Sequence, residues 1–278
     1  MSDLATKNEA GRPPGVSDKA GLDAAKSVAA LVLFVVAIMV MWESIAKLAG
    51  FNRMLFPSLV TVFERLWSMV VSGELLDETA ATLGRMALGY SAAVLIGVPL
   101  GVSMGRSRLM EDLFSPLINF LLPIPILALV PMFVLWFGLT LHAAVLLIAF
   151  ASTMPIAVNA WSGSRSIEPQ LLRVAQSMNV GGLPLFFKVV LPASLPAILV
   201  GLRQGLAMAW RAAIGAEFFA VAASGLGVRM FEAKDYVQMD VILSLLVVIM
   251  VVSMIFDKLV FAPLEKRTVR RWGIGDNS

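Results

Sequence analysis

Residues Arg173–Pro192 read RVAQSMNVGGLPLFFKVVLP. The stretch is half polar, holds a glycine pair at its centre and closes on Leu191-Pro192. It separates two apolar runs, Leu139–Trp161 and Leu195–Ala222. Each run is long enough to cross a bilayer, whose hydrocarbon core of roughly 30 Å needs about 20 residues of helix. The fold therefore turns on why so apolar a chain interrupts itself here.

The wider chain sets the frame. Of its 278 residues 59% are hydrophobic and only 15% charged, and the mean hydropathy is +0.85. A soluble domain carries about a quarter charged residues. Six candidate spans follow: Ser27–Ala49, Leu83–Met104, Leu113–Phe137, Leu139–Trp161, Leu195–Ala222 and Val241–Pro263. The alternating ten-residue segments of a membrane β-barrel are missing. The expectation is an all-α membrane protein of six transmembrane helices. Its divisions are a disordered tail over 1–26, a first helix and outer segment over 27–56, a transmembrane domain over 57–264, and a basic tail over 265–278.

Several chemistries drop out. The chain has no cysteine, so disulfides and thiolate metal sites are excluded. The single histidine, His142, has no companion ligand, and the expectation is no metal and no catalytic residue. The sequence pI is near 9.4, but the basic residues flank spans and form no groove for nucleic acid. The N-terminal residues are too polar and too long for the n-region of a cleaved signal, so the first helix is read as retained.

Basic residues also orient the chain. With the N-terminus in the cytoplasm, inner segments hold Lys7, Arg12, Lys19, Lys26, Arg106, Arg108, Arg165, Arg173, Lys188, Lys266, Arg267, Arg270 and Arg271. Outer segments hold only Lys47, Arg53, Arg65, Arg85, Arg229 and Lys234. The positive-inside rule then puts both termini, and the opening stretch, in the cytoplasm. Outside, Leu59, Val62, Phe63, Leu66, Met69 and Val70 recur at helical spacing within Pro57–Thr82, which predicts an amphipathic helix.

The loop 166–192 itself reads as two short helices. Ser166-Ile167-Glu168-Pro169 is a helix start, and Leu171, Val174, Ala175 and Met178 follow at i, i+3, i+4, i+7. After Asn179-Val180-Gly181-Gly182 the spacing restarts with Leu183, Phe186, Phe187 and Val190. Leu191-Pro192 and Pro196 are expected to stop this helix and open the next. Apolar residues on a short helix that no lipid covers need a protein partner or the bundle itself. Such a loop is a docking knob.

In this form the segment resembles the cytoplasmic signature loop of bacterial ABC-importer permeases, E-A-A, three residues, G, nine residues, I, any residue, L-P. Arg173-Val174-Ala175 stands at E-A-A, Asn179 at G, Val189 at I and Leu191-Pro192 at L-P. Asn is the next-best residue to Gly at positive φ. Arg173 replaces an acid, so a contact built on that carboxylate is lost or rebuilt. Pro123–Gly138 (PIPILALVPMFVLWFG), Gly201–Ala220 (GLRQGLAMAWRAAIGAEFFA) and Phe256–Gly273 (FDKLVFAPLEKRTVRRWG) are similar to the subgroup importing nitrate, sulfonates, taurine and related anions.

The resemblance implies a type I (MetI-like) bundle in the bacterial inner membrane, working as a non-enzymatic subunit. No G-x-x-x-x-G-K-[ST] occurs, so ATP and Mg would be bound by a separate pair of ATPase subunits. It further implies a second permease chain, as a homodimer, and a periplasmic binding protein that delivers solute. Leu171, Arg173, Val174, Ala175, Met178, Asn179, Val180, Gly181, Leu191 and Pro192 become the candidate ATPase-docking residues. The solute is expected to be a small anion. The alternatives are an uncharged or heterocyclic solute such as a vitamin precursor, or a secondary transporter, which would want midplane carboxylates and internal repeats. A need for ATP and a second polypeptide in vesicle uptake separates these.

Within the spans, Arg203, Trp210, Arg211 and Glu217 are the candidate pathway residues. Arg203, Trp210 and Glu217 are spaced by seven, within about 40° of one face. Arg211 lies about 80° from Arg203 and about 12 Å along the axis. Charges at such depth are costly and face the bundle or a water-filled path. A pathway lining and a buried ion pair both suit them. Pro123, Pro125 and Pro131 can kink the third span, and Gly97, Gly101 and Gly105 read as small-xxx-small packing steps.

Overall fold

The computed structural model describes residues 16–48, 52, 54–219 and 223–263. Every regular element among them is helical. The chain divides into two compact units, residues 1–62 and 63–278.

The first unit is dominated by α1, Val16–Leu48. The helix begins ahead of Ser27, where the first span was expected to start. Ala20, Leu22, Ala24, Ala25 and Lys26 are good helix formers, and extending an existing helix costs little. The rest of the expected N-terminal tail, residues 1–15, and the basic tail 265–278 lie outside the described residues. Apolar side chains from Leu31 to Met41 are exposed, as a span in contact with lipid requires. At its C-terminal end, Trp42 stacks on Phe56 with ring centroids 4.4 Å apart and donates to the Pro57 carbonyl at 3.1 Å. Glu43 accepts from the Leu59 N–H at 3.1 Å and pairs with Lys47 at 2.9 Å.

The second unit is a bundle of long helices. The amphipathic segment predicted between the first two spans is α2, Leu59–Val71, with Met69 buried and Phe63 and Trp67 exposed. After it come α3 (Glu74–Arg106), α4 (Arg108–Leu121), α5 (Ile126–Phe137) and α6 (Leu141–Arg165). The loop helices α7 (Pro169–Ser177) and α8 (Gly182–Leu185) lead into α9 (Leu191–Phe218). The last elements are α10 (Leu226–Asp235) and α11 (Met239–Phe256), the latter prolonged by a wide turn, Asp257–Phe261. Among the described residues five helical stretches are long and apolar enough to cross a membrane: Lys26–Lys47, Glu74–Arg106, Leu141–Arg165, Gly182–Phe218 and Met239–Leu259. A bent pair supplies the candidate sixth.

That bent pair corrects the third predicted span. In place of one helix over Leu113–Phe137, α4 and α5 meet at an angle of 103°. Pro123 and Pro125 lie in the break, where neither has an N–H to give a continuing helix. Pro131, by contrast, stays inside α5.

The second correction concerns the end of the loop. Leu191-Pro192 does not stop a helix, because helical structure runs from Gly182 to Phe218. Residues Phe186–Val190 form a wide π-type turn in which the Leu191 N–H reaches back five residues to the Phe186 carbonyl. Widening the helix just ahead of Pro192 relieves the clash that a proline ring makes with the preceding turn.

Close packing of α3, α6 and α9 builds the centre. A Cβ on Gly97 would sit 2.9 Å from Ile156 Cγ2, and one on Gly101 would run into the Ala157 carbonyl oxygen. Gly105 faces Ser164 in the same way. From the other side Gly205 approaches Ile156, where an added Cβ would lie 2.6 Å from Cγ1. With no water to drive helices together inside a bilayer, this near approach of backbones supplies the van der Waals energy.

Candidate functional site

One side of α9 is left uncovered by the other described helices of the second unit. Val200, Arg203, Gln204, Ala207 and Arg211 are exposed along it, while Gly205, Leu206, Ala209, Trp210, Ala212 and Ala213 are buried. Steps of three and four residues keep the exposed set on one face through several turns. Three of the five are polar, in the middle of a span. Gln204 is held by Asn159 of α6, whose Nδ2 donates to Gln204 Oε1 at 3.0 Å and to the Pro155 carbonyl at 2.8 Å. Arg203 pairs through Nε with Asp257 at 3.0 Å and lies over the Phe261 ring, 5.7 Å from its centroid.

Arg211 differs. Among the described residues no carboxylate lies within 4.0 Å of its guanidinium, which contacts the Met208 sulfur at 3.9 Å. Three cavities share it. One of about 570 Å³ is lined by Ile126, Leu127, Ile214, Phe218, Met230 and Ile249 among others. A second, about 270 Å³, contains Arg203, Ser253 and Asp257, and a third, about 320 Å³, runs along the α4–α5 break past Pro123, Pro125 and Met154. Trp210 is 6% exposed and lines the first two, and among the described residues its buried indole N–H finds no hydrogen-bond partner.

Glu217 has a different setting. It is completely buried and receives two hydrogen bonds on one oxygen from Arg85 of α3, at 3.0 Å from Nε and 2.7 Å from Nη2. Its other oxygen accepts from Thr82 Oγ1 and the Gly227 N–H, both at 2.9 Å. Arg85 also donates to the Ser224 carbonyl, Leu226 N–H donates to Thr82 Oγ1 at 2.9 Å, and Gly225 N–H donates to Glu78. The segment entering α10 is thereby pinned to α3. The heptad spacing that groups Arg203, Trp210 and Glu217 fails here because the face drifts about 20° per heptad. The neighbours change as well, from α11 beside Arg203 to α3 beside Glu217. Sequence reasoning left out Arg85 and Thr82 as its partners, and also Gln204. Gln204 stands seven residues before Arg211, a spacing that places it on the same side.

In the loop, α7 turns Leu172 inward onto Ile167, Val190 and Ile198, and Ala175 is buried as well. Ala175, expected at a docking surface, is thus covered by its own chain. Leu171, Val174 and Met178 point outward, and Met178 is 72% exposed. Arg173 and Gly181 are exposed as well, whereas Val180, Leu191 and Pro192 are half-buried. Asn179 has φ 58°, with its N–H bonded to the Gln176 carbonyl at 2.9 Å and the Val180 N–H to the Ala175 carbonyl at 3.0 Å. That is a Schellman ending with Asn in the left-handed position. Leu183 and Phe187 extend the exposed apolar surface beyond the turn.

The family model for the binding-protein-dependent transport system inner membrane component matches residues 93–269, from the middle of α3 through the loop and α9. The chain belongs to this family.

Relatives agree along most of the chain. It is 33% identical over 225 residues to the taurine transport system permease protein of Escherichia coli, covering 79% of this chain and 82% of that one. It is 34% identical over 237 residues to an E. coli chain bearing the name aliphatic sulfonates transport permease protein, covering 85% and 89%. Among solved structures, the inward-facing MetNI methionine ABC transporter matches 70% of this chain and 95% of its own with a TM-score of 0.61, at 19% identity. That likeness speaks for the fold. This permease is therefore a membrane subunit of an ABC importer and is not itself an enzyme. Its family is inner-membrane and works with a binding protein and an ATPase, which leaves the secondary-transporter alternative without support.

Proposed function

We propose that two copies of this permease enclose a path along the exposed face of α9, and that a small organic anion carrying a sulfonate or similar head group crosses at Arg211. The observation that carries this is Arg211 itself. A guanidinium midway along a span costs at least about 2.5–3.5 kcal/mol, and among the described residues this one has no carboxylate to answer it at the meeting of three cavities. The names of the relatives, for taurine and for aliphatic sulfonates, point to the same head group.

In this reading two ATPase subunits bind ATP and Mg and dock on the loops of the paired copies, at Leu171, Val174 and Met178 with Leu183 and Phe187. The loop helix continues without a stop into α9, so movement of the docked loop passes directly to the helix that carries Arg211. Both termini face the cytoplasm, on the distribution of basic residues.

The test is ATP-dependent uptake in proteoliposomes holding the permease, its ATPase and its binding protein, with taurine and butanesulfonate as probes. Arg211→Gln is expected to assemble and hydrolyse ATP while uptake falls by about tenfold or more, as for loss of a desolvated charge-assisted contact. Arg211→Lys keeps part of it. Uptake of both probes by Arg211→Gln at the native rate overturns the reading.

A further inference from the structure

The largest of the three cavities does not look like a passage for a bare inorganic ion. Arg211 is the one charged residue that lines it, and its other walls are aliphatic and aromatic: Ile126 and Leu127 from α5, Ile214 and Phe218 from α9, Met230 from α10, Ile249 from α11. Its volume of about 570 Å³ far exceeds the roughly 30 Å³ that one water occupies. An ion with no apolar part gains nothing from such walls. A solute with a hydrocarbon tail gains about 0.8 kcal/mol, or about fourfold in affinity, for each methylene buried. Trp210 and Arg211 both line this cavity and the smaller one that holds Asp257. The one charged residue on its walls, Arg211, is thus shared with a neighbouring cavity that also holds Arg203 and Asp257.

We propose that this cavity is a transit pocket for the apolar tail of an organic anion whose charged head pairs with Arg211, so that the permease itself selects solutes by tail length. The inference rests on the pathway reading above and adds a specificity site to it. Ile249 and Met230 are the specificity-determining residues, because they wall the pocket from α11 and α10 and carry no charge. The polar stripe toward Arg203 and Gln204 is the route by which the head group leaves.

The experiment uses the full-length permease with its ATPase subunits in lipid nanodiscs, without binding protein. Calorimetric titration with methanesulfonate, butanesulfonate and hexanesulfonate, against empty nanodiscs, gives three affinities. Affinity should rise along the series, by about fourfold for each methylene fully buried. Ile249→Trp and, separately, Met230→Trp fill the pocket, and the ratio of hexanesulfonate to methanesulfonate affinity should fall toward one in both. Arg211→Gln should weaken all three probes by a similar factor. A flat series in the native protein overturns the tail pocket, as does a ratio that survives both tryptophan variants, the result expected if a lipid chain fills the cavity. Equal binding by Arg211→Gln overturns the head-group reading instead, whatever the tail shows.

Discussion

Arg85 and Glu217, 132 residues apart in sequence, are joined by two hydrogen bonds to a single carboxylate oxygen, at 3.0 and 2.7 Å, inside the bundle. The pair ties α3 to the end of α9, and Thr82 and the Gly227 N–H occupy the other oxygen. Both charges are shielded from solvent, with Glu217 wholly buried.

Breaking the pair from one side should therefore cost more than removing it. Glu217→Ala strands a buried guanidinium, a loss of about 3–5 kcal/mol. Replacing both residues together, Arg85→Met with Glu217→Met, should recover most of that. Thermal denaturation of the purified importer complex checks this, and a double variant no better than Glu217→Ala would show that the two residues act separately.

Asn179 makes the turn after α7 at φ 58°. Asn179→Gly should leave the melting temperature unchanged or slightly raised. Asn179→Val should lower stability by about 1 kcal/mol or more, because a β-branched residue is strained there. Equal melting of the two variants would show that the left-handed turn is not kept in the assembled protein.

Val237 presents the opposite case. It ends α10 at φ 56°, with the Gln238 N–H bonded to the Ala233 carbonyl at 2.7 Å, although valine is among the residues least suited to that conformation. Val237→Asn or Val237→Gly should stabilise the protein by about 1 kcal/mol. Measuring transport alongside melting tells whether the strain has a use: uptake that falls as stability rises would mean that it has.

The loop faces separate docking from folding. Met178→Asp and Val174→Asp place a charge on exposed positions, and each should release the ATPase during purification while the permease still folds. Ala175→Asp puts a charge under α7 and should destabilise the permease itself, by about 2 kcal/mol or more. Co-purification of a full complement of ATPase with both Met178→Asp and Val174→Asp would place the contact elsewhere.

Much of this protein could be read from its residues in order. Hydropathy marked the spans, because backbone polar groups in lipid must be satisfied within each segment and only long apolar helices do so. The spacing within Arg173–Pro192 marked the loop helix and its Asn179 turn, since caps and turns depend on a few consecutive residues. Gly97, Gly101 and Gly105 marked a packing face for the same local reason. Tertiary structure decided what depends on neighbours distant in sequence. Pro123 and Pro125 announced a break, but its 103° angle is set by packing around α4 and α5. Pro192 looked like a helix end until a π-type turn absorbed it. Above all, Arg203, Arg211 and Glu217 are alike in sequence, three charges on one apolar helix. Only the arrival of Asp257 beside Arg203, and of Arg85 beside Glu217, leaves Arg211 as the one of the three without an opposite charge close by among the described residues. A charge in a membrane is defined by its partner, and the partner comes from another helix.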